Sequence, residues 1–182
     1  LVVDTMGLAV DAMCRALIPR GPKFCSAQGM PSQTGWGIVK SWTNAWLGMV
    51  KSTGMDLVLV CHEVEKTFLG EARFIPDISG GSKNLVARDA DAIGYVSQTS
   101  EGRYVDWTPS EGRQGKDPCQ WGRTPIPDVR ERPDYLATLM AEIKARLSEG
   151  ASASQAAAQE VQRWAGLVDH AKDGPDLQSL MQ

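Results

Sequence analysis

No apolar stretch in these 182 residues approaches the ~20 positions that a membrane-spanning helix needs, and no leader-like segment opens the chain. The expectation is a soluble, intracellular protein. An excess of either charge is missing too: 19 basic against 22 acidic side chains leave a net charge of −3, which gives no global signature of a polyanion binder. Cysteine is scarce and unpaired. Cys14, Cys25, Cys61 and Cys119 lie far apart with no CxxC, so the pattern predicts neither a zinc site nor disulfides and fits a reducing cytosol. A GxGxxG turn is absent, which removes the usual dinucleotide-binding oxidoreductase. The chain also opens without methionine, inside what reads as a core strand, as if its natural beginning were missing.

What is present is organised around Asp56 to Glu63, DLVLVCHE. A short, valine- and leucine-rich apolar run fits a strand covered on both faces, the usual state of strands in parallel sheets flanked by helices. Leu1-Val2-Val3-Asp4-Thr5 repeats the design, with an acid at its end. In open α/β sheets ligands bind beyond the carboxyl ends of the strands, which singles out Asp4, His62 and Glu63. At this length one domain, with or without an appendage, can bury a sizeable core.

The rest of the chain alternates accordingly. Leu8, Ala9, Ala12, Met13, Ala16 and Leu17 recur at helical spacing and predict a helix to about Ile18, ahead of Pro19. Residues 19–35 hold three prolines and three glycines without periodicity and read as a long loop. Ile38, Trp42, Ala45, Trp46, Met49 and Val50 form the apolar face of a second helix, ended around Gly54. A hairpin through Phe68 to Phe74, a loop at 76–83, a short helix at 85–90 and two strands at 92–98 and 103–108 follow, giving the sheet an antiparallel edge. Residues 109–133 read as loop. Leu136, Leu139, Met140, Ile143 and Leu147 mark an amphipathic helix, a hinge falls at 148–154, and Val161, Trp164 and Val168 share a stripe on a terminal arm.

The order LVVDT, helix, irregular loop, helix opened by Gly35-Trp36, VLVCHE, then IPDISGGSKNLVARDADAIGYV and Gly115-Lys116, resembles the RecA-like P-loop ATPases of bacteriophages over about residues 1–130. The likeness implies an α/β RecA-like core at 1–130, mostly parallel with an antiparallel edge, and a C-terminal helical arm at 131–182. It implies a phage recombination and single-strand annealing ATPase in the cytoplasm of a bacterial host, using ATP and Mg²⁺ and acting as a homo-oligomer on single-stranded DNA, with a phage recombination protein as a possible partner.

Residue by residue, the likeness makes Asp4 the Walker B carboxylate that holds Mg²⁺ through water, with Thr5 beside it. His62 and Glu63 become the sensor that feels the terminal phosphate; histidine suits the role because it can donate a hydrogen bond to phosphate at neutral pH. Arg113 and Lys116, in EGRQGKDP, become cations that reach a neighbouring subunit's nucleotide. Arg20, Lys23, Lys66, Arg73 and Lys83, with Phe24, Phe68 and Phe74 among them, become the DNA-facing set. Plainer readings stand beside these. Asp4 and Thr5 could cap the first helix, His62 could be satisfied by local backbone, the lysines could be solvated surface and the phenylalanines core.

One departure outweighs the matches. The phosphate-cradling GxxxxGK[ST] occurs nowhere in the chain, and Gly80-Gly81-Ser82-Lys83 lacks both its spacing and its preceding strand. The expectation is therefore a fragment that hydrolyses no ATP alone. The alternative is a non-catalytic α/β module that binds a protein partner through its C-terminal helices.

Overall fold

The computed structural model describes residues 1–68, 70–110 and 112–171, with Phe68 and residues 167–171 described by backbone only. The chain is α/β and divides into two compact units, Leu1–Arg132 and Pro133–Gln182.

In the first unit, strand β1 (Val2–Asp4) runs parallel to β2 (Val58–Val60), with Val2 opposite Val58 and Asp4 opposite Val60. Between them the chain forms α1 (Met6–Arg15) and α2 (Gln33–Ser52). The Thr5 hydroxyl starts α1 by accepting from Leu8 N, and the Ser32 hydroxyl starts α2 by accepting from Gly35 N. The core lies between these helices, where Met6, Val10, Cys14 and Leu17 of the α1 segment meet Val39 of α2, with Ile78 and Val86 closing it from the far side.

The expected faces meet the core in part: Leu17 and Val50 are buried and Ala9, Met13, Ile38, Trp42 and Trp46 pack against it, but the centre of each buried stripe lies to one side. Leu8 is 61% exposed and Met49 59% exposed, whereas Val10, Cys14, Val39, Thr43 and Leu47 are enclosed. The apolar arc of each helix is wider than its buried stripe, and bulky indoles cannot be sealed on every side. The small residues went inward while Trp36, Trp42 and Trp46 pack half-buried at the flanks. Helix α1 also stops earlier than expected, and a 3₁₀ turn at Ile18–Arg20 takes Pro19 into its first positions.

The strand expected over Asp56 to Glu63 is two elements. β2 ends at Val60, and Glu63 opens a hairpin of β3 (Glu63–Phe68) and β4 (Glu71–Pro76), with Lys66 opposite Arg73. Helix α3 (Ser82–Asp89) follows, then β5 (Tyr95–Thr99), β6 (Gly102–Asp106) and β7 (Arg123–Pro125). The antiparallel strands do not edge the parallel pair. They form separate sheets, β3-β4 and β5-β6-β7, beside the two-stranded β1-β2 sheet, and Val2 at 58% and Val60 at 40% exposed show that the parallel pair is not enclosed on both faces. Strand β7 falls in the segment expected to be loop. The Asp117 carboxylate turns the chain there by accepting from Trp121 N and Gly122 N, and Trp107 closes on Trp121 while donating to Thr124 Oγ1.

Among the described residues the second unit holds one helix, α4 (Tyr135–Ala171), with no break at 148–154. Gly150 alone costs a helix about 1 kcal/mol against alanine, but the alanines around it are the strongest helix formers. Ser148 and Ser152 return their hydroxyls to Lys144 O and Ser148 O. The Val168 side chain of the expected stripe lies outside the described residues.

Candidate functional site

Parallel pairing decides which polar groups meet. Because β1 and β2 run the same way with Asp4 opposite Val60, their carboxyl ends share one edge, and His62 follows two residues beyond Asp4's register partner. That offset is about 7 Å along an extended chain. Asp4 and His62 are both exposed there. Asp77 N donates to His62 O at 2.8 Å, which ties the connection after β2 to the Asp77–Gly81 loop, and Ser79 Oγ donates to Asp11 Oδ1 of α1 at 3.2 Å. Gly7 sits against the Asp77 carbonyl, where a Cβ would collide with backbone. The loop is thus clamped over the start of α1, beside Asp4.

Thr5, not Asp4, caps α1: its buried hydroxyl accepts from Leu8 N, which leaves the Asp4 carboxylate outside the helix and facing solvent. Among the described residues no three His, Cys, Asp or Glu side chains gather as a metal cage. A single exposed carboxylate at a strand end, such as Asp4, is a donor set compatible with a Mg²⁺ that draws its other oxygens from water and phosphate.

A second cluster forms around Arg113. Its guanidinium lies 3.9 Å over the Tyr95 ring and 5.2 Å from the Phe74 ring. Phe74 N donates to Gly112 O, which fixes the basic loop against the hairpin. Glu63 joins this group rather than His62. Its carboxylate accepts from the Tyr95 phenol and, with burial, holds that phenol above its ordinary 10.0 against the opposing pull of Arg113. A phenol whose folded-state value is raised stabilises the fold fully below pH 10.0, and that contribution is lost as pH climbs through the raised value. Replacing Glu63 with glutamine is expected to bring Tyr95 ionisation back toward 10.0, visible in the tyrosinate absorbance titration. An unchanged curve would remove the Glu63–Tyr95 contact.

Lys116 is committed to the fold. Its ammonium donates to Arg88 O at 2.9 Å and Ala90 O at 2.7 Å, closing the C-terminal end of α3, and its backbone bridges Ile93. It lines the same cavity as Arg113, together with Arg88 and Ile93, with its ammonium already engaged by those carbonyls.

The basic set expected to meet DNA is dispersed. Arg20 stacks on Trp42 at 4.9 Å and Lys23 lies 5.7 Å from the Phe24 ring, both at the start of the segment between the helices. Lys66 and Arg73 face each other on the hairpin, and Lys83 is half-buried in the first turn of α3. The Phe68 side chain lies outside the described residues. Sequence reasoning missed Tyr95 and the Phe74 stacking role. An aromatic residue opening a strand carries no local mark of a cation arriving from a loop many residues later.

A family model described as "AAA domain" matches residues 1–119. No curated protein and no solved structure matches the chain.

Proposed function

The chain belongs to the AAA domain family, whose members are P-loop ATPases that bind ATP with Mg²⁺, and on that premise we propose that it carries the metal-and-sensor half of a RecA-like nucleotide site from a phage recombination ATPase. The supporting observation is the parallel register that sets Asp4 and His62 at one sheet edge. Asp4 would hold the ion, His62 would face the terminal phosphate, and the Asp77 amide bond would carry a displacement of His62 into the clamped loop. Bound Mg²⁺ neutralises charge on the transferring phosphate. The phosphate-gripping GxxxxGK[ST] is not among these 182 residues, so they bind nucleotide weakly and turn none over by themselves.

Arg113, exposed and stacked on two rings, would be the cation that reaches a neighbouring subunit's nucleotide in a homo-oligomer. Single-stranded DNA would meet Arg20 and Lys23 on one segment and Lys66 and Arg73 on the hairpin, through phosphate neutralisation that weakens as salt rises.

The test compares Mg²⁺-dependent ATP hydrolysis by the protein as its reading frame encodes it, by its Asp4→Ala variant, and by the 182-residue chain. A loss of about a hundredfold or more is expected for Asp4→Ala, several kcal/mol of transition-state charge stabilisation. Undiminished turnover by that variant would take Asp4 out of the metal site. Robust turnover by the 182-residue chain would overturn the division of labour proposed here.

A further inference from the structure

Helix α4 runs 37 residues, about 55 Å, and its sequence carries one seam from end to end. Leu136, Ile143, Gly150, Ala157 and Trp164 fall seven residues apart. Met140, Leu147, Ser154 and Val161 form a second seven-residue series, offset by four. Two interleaved series of this kind are the core positions of a coiled coil. Most of the seam's large residues are open to solvent, Leu136 being 47%, Leu147 40%, Val161 68% and Trp164 53% exposed, while Met140 and Ile143 are half-buried. Most of a helix's stability comes from covering such a stripe rather than from propensity.

We propose that α4 of a second copy of this chain covers the seam, running antiparallel. The charges beside the seam decide both occupant and direction. Arg146 and Glu160 each precede a residue of the second series, and positions of that kind meet one another across an antiparallel pair. Arg146 then faces the partner's Glu160 while Glu160 faces the partner's Arg146, with Ala153 on the two-fold axis. In a parallel pair Arg146 would face the partner's Ala151 and Glu160 the partner's Ala165, and neither charge would gain a counterion. Within one helix Arg146 pairs with Glu149 at 3.2 Å and Glu160 with Arg163 at 3.8 Å. Both pairs are exposed, so exchanging them for interchain pairs costs little.

Side-chain size follows the same symmetry. Antiparallel pairing sets Met140 against the partner's Trp164 and Ile143 against the partner's Val161, large on large, and then Leu147 against the partner's Ala157 as the residues grow smaller. Toward the middle, Gly150 meets the partner's Ser154, and small residues let the backbones approach. The central run that reads as a hinge in the sequence becomes the crossing point. This inference does not rest on the nucleotide reading.

Sedimentation equilibrium of the 182-residue chain is expected to show a reversible dimer. Arg146→Glu and Glu160→Arg should each weaken it by roughly tenfold, since two symmetric attractive pairs become repulsive. Mixed in equal amounts, the two variants should form a heterodimer at least as tight as the native dimer, because every flanking pair is attractive again. Single-cysteine crosslinking should join Ala153→Cys to itself and leave Ser154→Cys largely unlinked. A chain that stays monomeric, a mixture no tighter than either variant alone, or crosslinking through Ser154→Cys instead would each overturn the proposal.

Discussion

Leu17→Ala is expected to lower the unfolding free energy of residues 1–132 by about 2–5 kcal/mol, the usual cost of emptying a sealed leucine site. Leu17 is 0% exposed and stands just after α1, in the core cluster that also holds Cys14 and Val39 and against which the half-buried Trp42 and Trp46 pack. The indoles make urea unfolding followed by tryptophan fluorescence a direct reporter. The walls of this site are two helices pinned by Thr5 and Ser32 caps, so the cavity has little freedom to collapse. A loss under about 1 kcal/mol would mean that the pocket does collapse and that the α1–α2 contact is softer than the structure makes it.

Gly35→Ala should cost about 1–3 kcal/mol or more, by overpacking rather than by emptying. Gly35 is buried in the first turn of α2, where a Cβ would run into the Phe24 carbonyl. That carbonyl already accepts from Ser32 N at 2.9 Å, and Ser32 Oγ donates to Lys23 O at 2.7 Å while accepting from Gly35 N at 3.1 Å. Serine and glycine together lash the Arg20–Lys23 segment to the helix. The damage should therefore include a local signature, with faster amide exchange at Phe24 and Ser32. Stability and exchange both equal to native would show that the segment yields freely at this point.

These two sites mark how far the chain could be read unaided. The apolar runs LVVD and DLVLV announced strands ending in polar residues, because an uninterrupted valine-leucine stretch has few other places to go. The segment 19–35 gave no periodic signal, yet it is ordered by a Cys25–Pro31 bridge, a Ser26 turn and the Ser32 lashing. Side-chain to backbone bonds of this kind have no period to detect. The site splits the same way. Asp4 and His62 came from strand ends, a local feature, whereas the Glu63–Tyr95–Arg113 group exists only because a hairpin and a later loop fold onto one strand.

Sequence alone settled the alternation of strands and helices and the polar residues that follow the two apolar runs, which depend on spacing between near neighbours; the seven-residue seam of α4 emerged only because residues 148–154, read as a hinge, are helical. Tertiary structure decided the parallel register that puts Asp4 and His62 at one edge, which arc of each helix turned inward, and whether Lys116 stayed free or closed a helix end. Those outcomes depend on which surfaces compete for the same enclosed volume and the same unsatisfied carbonyls, and that competition runs between segments far apart in the chain.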